Sequence, residues 1–258
     1  MAPGARTVLL LGGSTEATQL ARLVAASGDI ELTVSFAGRT AERAPMPEGV
    51  SVRVGGFGGS AGLQRHLETT AVEALVDATH PFSSRMPFHA ATAADAAGRP
   101  RLRVLRPPWV TQAGDRWTVV SSVAEAAAAV DASGAGPVLL TIGRQELAPF
   151  AGCTSAQLVV RCIEAPEPGV LDGAQIILAR GPFTVEDEIA LLRRHHIELV
   201  VSKNAGGSAT EAKLAATRRL GLPVVMIERP PAPDGPTVAT AAEAMAWLDA
   251  ALLERVSR

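Results

Sequence analysis

Short apolar runs alternate with helical stretches rich in Ala and Leu along the chain. The apolar runs predict a first series of strands at 7–11, 32–36, 50–54, 74–77 and 102–105. A second series is predicted at 117–120, 138–142, 158–163, 176–178, 198–202 and 223–227. The predicted helices begin near residues 16, 61 and 84 and cover 123–132, 185–195, 210–220 and 241–254. This alternation is typical of parallel sheets covered by helices on both faces, so we predict a doubly wound α/β fold.

The alternation pauses between the two series of strands. Residues 111–116 follow Arg106-Pro107-Pro108-Trp109 and contain the turn signal Gly114-Asp115. We therefore predict two domains, 1–113 and 114–258, with a cleft between them. The proline-rich segment 230–236 is interpreted as a stiff surface loop rather than a linker, because only one predicted helix follows it.

Composition excludes several classes of function. The 24 Lys and Arg residues against 26 Asp and Glu give a net charge of -2, without the basic excess of proteins that bind nucleic acid. The chain has no Tyr, which excludes catalysis by a Tyr–Lys pair as in short-chain dehydrogenases. Two cysteines, expected to be buried, and five histidines without a His-x-x-x-His pair do not predict a metal site. No apolar run is long enough for a membrane span, so we expect a soluble, cytoplasmic protein.

A glycine-rich turn follows the first predicted strand. Its sequence is Gly12-Gly13-Ser14-Thr15-Glu16-Ala17, at the place where a dinucleotide-binding fold has its G-x-G-x-x-G motif. Glycines let a pyrophosphate approach the backbone, and the helix N-terminus offers free N–H groups. Ser14 and Ala17 stand at the second and third glycine positions. The turn alone is equally compatible with a cofactor site and with an ordinary turn capped by Ser14 or Thr15.

The end of the second predicted strand favours NADPH over NADH. An NAD-binding fold places a carboxylate there for the ribose 2′-hydroxyl, whereas this chain has Ser35-Phe36-Ala37-Gly38-Arg39. Ser35 and Arg39 suit a 2′-phosphate, because a guanidinium pairs with phosphate in a bidentate way. The alternative is that Arg39 is a solvated surface residue.

The fourth predicted strand ends in Asp77-Ala78-Thr79-His80-Pro81-Phe82. Pro81 holds His80 in an extended conformation, which suits a proton donor or a ring contact. A structural role for a lone histidine remains the alternative.

Three strand ends of the second series carry polar groups, at 141–146, 180–184 and 202–211. The third places Lys203 before the glycines Gly206 and Gly207 and leads into a helix, an arrangement typical of an anion site. Each of the three could be turn chemistry, such as a capping box formed by Thr184 and Asp187. Together they predict an anionic ligand.

Five blocks in this order, 10–17, 77–82, 106–109, 141–145 and 202–207, resemble a known family. They are similar to those of the precorrin-6A reductases of cobalamin biosynthesis, including the cobalt-precorrin-6A reductases of the anaerobic route. The resemblance implies two Rossmann-like domains and hydride transfer from NADPH to one double bond of precorrin-6A, which gives precorrin-6B. It also implies a tetrapyrrole substrate, with or without cobalt, whose acetate and propionate groups need local cations.

Residues are assigned to these roles as predictions. The cofactor-binding residues are predicted to be Gly12, Gly13, Ser14, Thr15, Glu16, Ala17, Ser35, Arg39, Thr79 and His80. The substrate-binding residues are predicted to be Arg85, Gly143, Arg144, Arg180, Lys203, Asn204, Gly206, Gly207 and Ser208. Lys203 and His80 are candidate proton donors, with water as a third. No protein-bound metal is expected, and the chain is expected to be a monomer or a small homo-oligomer.

Two other functions remain open at this point. One is a cofactor-free tetrapyrrole enzyme of the uroporphyrinogen-III synthase type, which the Gly12 turn and Arg39 argue against. The other is a two-lobed protein that binds or senses a small molecule without chemistry.

Overall fold

The chain folds into two units. The computed structural model describes residues 6–38 and 45–256. The first unit comprises Met1–Pro107 and Pro230–Arg258, and the second comprises Pro108–Arg229. Each unit contains one six-stranded sheet in which all paired strands are parallel.

The first unit has the strand order of dinucleotide-binding folds. Its strands are β1 (Arg6–Leu11), β2 (Ile30–Phe36), β3 (Ser51–Val54), β4 (Ala74–Asp77), β5 (Arg101–Val104) and β12 (Thr237–Val238). Its helices are α1 (Thr15–Ser27), α2 (Gly59–Thr69), α3 (Met86–Ala96) and α7 (Ala241–Val256). The order β12-β5-β4-β1-β2-β3 corresponds to 6-5-4-1-2-3, with β12 as the sixth strand.

Helices cover both faces of this sheet. Val8 and Leu10 of β1 pack in one core cluster with side chains of α1 and α7. Leu9 and Leu11 point the other way and pack in a second cluster with side chains of α2 and α3. Successive residues of a strand face opposite sides of a sheet, so the continuous apolar run of β1 marks a strand buried on both faces.

The second unit is also a doubly wound parallel sheet. Its strands are β6 (Trp117–Val120), β7 (Val138–Thr141), β8 (Leu158–Cys162), β9 (Gln175–Leu178), β10 (Leu199–Lys203) and β11 (Val224–Ile227), in the order β6-β11-β10-β7-β8-β9. Its helices are α4 (Val123–Ser133), α5 (Val185–Arg194) and α6 (Ala212–Leu220), with 3₁₀ turns at Arg144–Glu146, Ala148–Gly152 and Ser208–Thr210.

The predicted fold class and the predicted strands of both series are confirmed. The ranges of β4 and β6 agree with the prediction at both ends, and the others differ by one or two residues. The capping box at the start of α5 is also present, with Thr184 and Asp187 bonded to each other's backbone. Hydrophobic periodicity therefore located the elements of both sheets.

The structure divides the chain differently from the predicted domains 1–113 and 114–258. The two-residue strand β12 pairs with β5, and α7 packs against α1, so the C-terminal segment completes the first unit. The proline-rich segment 230–236, interpreted as a surface loop rather than a linker, begins where the chain passes from the second unit back to the first, so the second part of this interpretation is wrong. Periodicity did not indicate β12, because two residues are too few to show a pattern.

Both cysteines are buried and free, as expected. Burial raises the pKa of each thiol, most directly by desolvation of the thiolate. Among the described residues, no group of three or more His, Cys, Asp or Glu side chains is placed to hold a metal ion. No helix in the described ranges is long and apolar enough to cross a membrane.

Candidate active site

Each sheet has one point at which the strand order reverses. In the first unit this point lies between β1 and β4, and in the second it lies between β7 and β10. Ligands of open α/β sheets bind outside the carboxyl ends of the strands at such a point. The predicted cofactor turn (12–17) follows β1. The predicted anion site at 202–211, called the anion loop, lies at the end of β10. Both motifs therefore lie where the topology favours ligand binding.

The turn after β1 packs closely against both neighbouring strand ends. The Gly12 amide donates to the Ser35 carbonyl at 2.9 Å, and a Cβ at Gly12 would lie 2.7 Å from Phe36 Cε1. Gly13 has φ of +151°, and a Cβ there would lie 3.3 Å from the His80 backbone N. Gly13 is therefore favoured by its backbone conformation and by the nearby backbone, whereas a side chain at Gly12 would displace the Phe36 ring. The turn forms a backbone cradle of the kind that fits a nucleotide pyrophosphate.

The first turn of α1 is both capped and charge-paired. Ser14 is the N-cap, and its Oγ accepts from the Ala17 amide at 3.3 Å, as the alternative interpretation of the turn required. The hydroxyl proton of Ser14 can still be donated to a ligand. Glu16 Oε2 lies 2.8 Å from Arg106 Nη1, so the carboxylate is neutralised at the helix start. The Ala17 side chain is buried in the core.

An arginine that sequence reasoning missed lies beside Ser35. Arg53 pairs with Ser35 in the register of β2 and β3, and its Nη1 donates to Ser35 Oγ at 3.3 Å. Nη1 also donates to the Gly55 carbonyl at 2.6 Å, and Nη2 donates to the Gly56 carbonyl at 2.8 Å. The signal in the sequence was a charged residue within the third strand, just before a glycine run. Arg39, predicted to bind the 2′-phosphate, lies outside the described residues.

A buried carboxylate shapes the turn after β4. Asp77 is fully buried, and its Oδ1 accepts from the Thr79 amide at 3.0 Å and from Thr79 Oγ1 at 2.7 Å. Its Oδ2 lies 3.8 Å from Nε of Arg103. Burial lowers the pKa of Arg103, Asp77 opposes that shift, and the neighbouring Arg101 adds to it. Asp77 thereby holds Thr79 and His80 in place beside Gly13.

The ring of His80 is exposed, and its hydrogen bonding selects a tautomer. His80 Nδ1 accepts from the Phe82 amide at 3.2 Å. A neutral imidazole that accepts at Nδ1 carries its proton on Nε2. In this tautomer His80 is a hydrogen-bond donor through Nε2 at the carboxyl edge of the first sheet, whereas proton donation would need the imidazolium form.

The switch point of the second unit brings several predicted residues together. Lys203 ends β10 and forms an ion pair with Glu146 in the turn after β7. Arg144, in the same turn, lies 2.8 Å from Glu164 through Nη2 and donates to the Ala165 carbonyl at 3.2 Å through Nη1. Lys203 and Arg144 thus each have a carboxylate partner, which the sequence did not predict.

Hydrogen bonds with Trp109 and from Arg229 stabilise the anion loop after β10. The Asn204 side chain accepts from the Trp109 amide at 2.7 Å and donates to the Trp109 carbonyl at 3.0 Å. The Trp109 indole donates to the Gly207 carbonyl at 3.1 Å, and Arg229 donates to the carbonyls of Asn204 and Ala205 at 2.9 and 3.0 Å. Gly206 and Gly207 have positive φ, as the nest predicted by the sequence requires. The side-chain amide of Asn204 therefore stabilises the loop, because its oxygen and its nitrogen both bond to the backbone of Trp109.

The other predicted substrate residues lie elsewhere in the two units. Ser208 begins the 3₁₀ turn after the glycines and is exposed. Arg180 follows β9, an edge strand separated from β7 by β8, and is exposed. Arg85 is an exposed residue of the first unit, at the start of α3. Arg180 is therefore about 10 Å of sheet width away from the end of β7.

A buried charge cluster, formed by Arg161, Glu188 and Lys213, supports the anion loop. Arg161 Nη1 donates to both carboxylate oxygens of Glu188, at 2.9 and 2.8 Å. Lys213 Nζ donates to the Thr210 carbonyl at 3.0 Å and lies 4.8 Å from the centre of the Trp109 ring. The pKa of Lys213 is lowered to about 7, chiefly by burial and in addition by the charge of Arg161, while Glu188 opposes the shift. The sequence did not reveal this cluster, because its members are far apart along the chain.

We expect Lys213→Met to remove a pH dependence of stability. The pKa of Lys213 is about 7 in the folded chain and about 10.4 when unfolded. Between these values the unfolded state binds more protons, so the free energy of unfolding rises with pH by up to about 1.4 kcal/mol per unit. Urea unfolding of wild type and Lys213→Met at pH 7, 8 and 9 should show this slope only in wild type. Parallel pH profiles of the two proteins would contradict the assignment.

The strand order and the glycine turn at the switch point place the first unit in the class of doubly wound α/β folds that bind dinucleotides. A family model described as "Precorrin-6x reductase CbiJ/CobK" matches residues 7–249. The chain belongs to this family. Its membership confirms the resemblance and decides between the three functions in favour of the reductase.

Known relatives cover almost the whole chain. A protein named precorrin-6A reductase from Sinorhizobium sp is 45% identical over 239 residues, which are 92% of this chain and 90% of that protein. One of the same name from Rhodobacter capsulatus is 44% identical over 93% of this chain and 95% of its own length. A solved structure titled "CobK precorrin-6A reductase" superposes with a TM-score of 0.87 at 43% identity, covering 95% of this chain and 96% of its own.

Proposed function

We propose that the chain reduces one double bond of precorrin-6A with NADPH and a proton, giving precorrin-6B and NADP⁺, in cobalamin biosynthesis. The observation that carries the proposal is the Gly12–Gly13 cradle at the switch point of a chain that belongs to a reductase family. A reductase needs an electron donor, and a reduced nicotinamide supplies a hydride when bound. We further propose that the enzyme works in the cytoplasm, where reduced nicotinamide is available.

The first unit is proposed to bind the cofactor. Gly12, Gly13, Ser14 and Thr15 would hold the pyrophosphate at the start of α1, where the pairing of Glu16 with Arg106 removes a repulsive charge. Ser35 and Arg39 would hold the 2′-phosphate at the end of β2. Thr79 and His80, fixed by Asp77, would line the cofactor on the side of β4.

The second unit is proposed to bind the carboxylates of the tetrapyrrole. The backbone N–H groups of Gly206, Gly207 and Ser208, together with Gly143 of the turn after β7, are suited to anions. Lys203 and Arg144 supply positive charge, although each now pairs with a carboxylate. Substrate carboxylates would therefore compete with Glu146 and Glu164 for these cations.

The reduction also needs a proton at the carbon next to the one that accepts the hydride. We propose His80 and Lys203 as the donors to be tested, with water as a third source. To donate a proton, His80 would have to be an imidazolium, in which Nδ1 no longer accepts from the Phe82 amide, and Lys203 would have to leave its ion pair with Glu146. Proximity of the bound reactants can supply most of the rate enhancement without a strong acid.

The test is a comparison of NADPH and NADH binding by nicotinamide fluorescence, for wild type and for Arg39→Ala. We expect wild type to prefer NADPH by about tenfold or more, and Arg39→Ala to lose that preference, since a charged hydrogen bond contributes about 1.5–3 kcal/mol. Arg22→Ala, an exposed arginine on α1, is the matched control. Oxidation of NADPH in proportion to added precorrin-6A should accompany binding. A wild-type protein that binds neither nucleotide would contradict the proposed function.

A further inference from the structure

Arg53 occupies the corner of the first sheet at which the ends of β2 and β3 meet. Its guanidinium bonds to Ser35 Oγ and to two carbonyls of the following turn, and it lies 3.8 Å from the centre of the Phe57 ring. These contacts fix both the position and the plane of the group. Stacking on an aromatic ring leaves the edge of a guanidinium free to donate hydrogen bonds.

The fixed guanidinium keeps donors for a ligand. Of its five N–H groups, the two on Nη1 and one on Nη2 bond to described residues, and among those residues the Nε proton and the second Nη2 proton have no acceptor. In the part of the chain that the structure describes, no carboxylate forms an ion pair with Arg53. Among the residues that the structure describes, the positive charge of the group is therefore not compensated by a carboxylate.

The turn beside Arg53 has room for a ligand. Gly55, Gly56, Gly58 and Gly59 follow in sequence, and an added Cβ at any of them would meet no atom within 4 Å. The crowding at Gly12 and Gly13 is therefore absent here. A partly buried arginine that is fixed, has no carboxylate partner among the described residues and lies next to open space suits a dianionic phosphate group.

The position of Arg53 in the fold indicates which phosphate group of a ligand it would contact. In dinucleotide-binding folds the ribose 2′ position lies at the end of the second strand, and Ser35 is the last residue of β2 that pairs with β1, one residue before the strand ends at Phe36. We propose that Arg53, held by Ser35 and Phe57, binds the 2′-phosphate of NADPH and makes the enzyme select NADPH over NADH. The proposal rests on the proposed function, because it requires the nucleotide to bind at the first unit.

The experiment measures NADPH and NADH affinity, and the affinity for adenosine 2′,5′-bisphosphate and AMP, for wild type, Arg53→Ala and Arg53→Lys. Arg53→Ala should weaken NADPH and the bisphosphate by about 10- to 100-fold while NADH and AMP change by less than about threefold. Arg53→Lys should fall between the two. In turnover, the KM for NADPH should rise while kcat stays near the wild-type value.

A matched control and the ratio of affinities keep the result independent of folding. Arg65→Ala removes an exposed arginine of α2 and should leave all four affinities unchanged. Equal losses for NADPH and NADH in Arg53→Ala would mean that the residue only shapes the turn, and would overturn the proposal. The proposal would also be overturned if Arg53→Ala kept the preference for NADPH over NADH while Arg39→Ala abolished it. That result would leave the proposed function intact. Wild type that binds no nucleotide would overturn both.

Discussion

Replacing Glu188 with Ala should lower the free energy of unfolding by about 3–5 kcal/mol. Glu188 is 0% exposed and Arg161 is 7% exposed, so the substitution leaves a guanidinium in the interior without its carboxylate. Lys213, which is 4% exposed, also loses the carboxylate that favours its charged form. Removing one partner of a buried pair is costly, because the remaining charge has lost its solvation and gained nothing in exchange.

The same helix offers a matched control. Glu186 also lies in the first turn of α5, but it is 77% exposed and its ion pair with Arg219, at 3.2 Å, is on the surface. Glu186→Ala should change the free energy of unfolding by less than about 1 kcal/mol. Urea unfolding followed by tryptophan fluorescence is a suitable measurement, because Trp109 and Trp117 lie in the second unit and the chain has no Tyr. If the two substitutions lower the free energy of unfolding equally, the buried ion pair contributes no more to stability than the surface pair.

The contrast between Glu186 and Glu188 illustrates the limit of sequence reasoning at the level of side chains. Both belong to an acidic first turn, which the sequence predicts to be favourable near a helix N-terminus. Which of them faces Arg161 depends on how α5 packs over β8, and the two segments are 27 residues apart. Local patterns therefore located the helix and its cap but not the buried pair.

The polar motifs lie at the carboxyl ends of the strands, as predicted, for a topological reason. Carboxyl ends of parallel strands meet at one edge, so polar motifs after β1, β4, β7 and β10 had to lie at the same edge of their sheets. The pairing of individual residues across strands was not predictable, and Arg53 was missed for this reason. Its role depends on the register that places it opposite Ser35, which the sequence does not encode locally.

Replacing Gly13 with Val should weaken the binding of NADPH and NADH alike, by about 100-fold or more. A valine cannot adopt φ of +151° without strain, and its Cβ would lie 3.3 Å from the backbone N of His80. The turn would then have to move away from the strand ends, and the backbone cradle for the pyrophosphate would be lost. The pyrophosphate is common to the two nucleotides, so the loss should not depend on the 2′ group.

This equal loss separates the cradle from the groups that recognise the 2′-phosphate. Arg39→Ala and Arg53→Ala should change the ratio of the two affinities, whereas Gly13→Val should lower both affinities and keep their ratio. Gly152→Val is the control, because Gly152 has open space around its Cβ position and ordinary backbone angles. Circular dichroism and urea unfolding of Gly13→Val show whether the fold persists, and Gly13→Ala offers a smaller change at the same position. If Gly13→Val folds and binds both nucleotides as wild type does, the turn after β1 is not the pyrophosphate site.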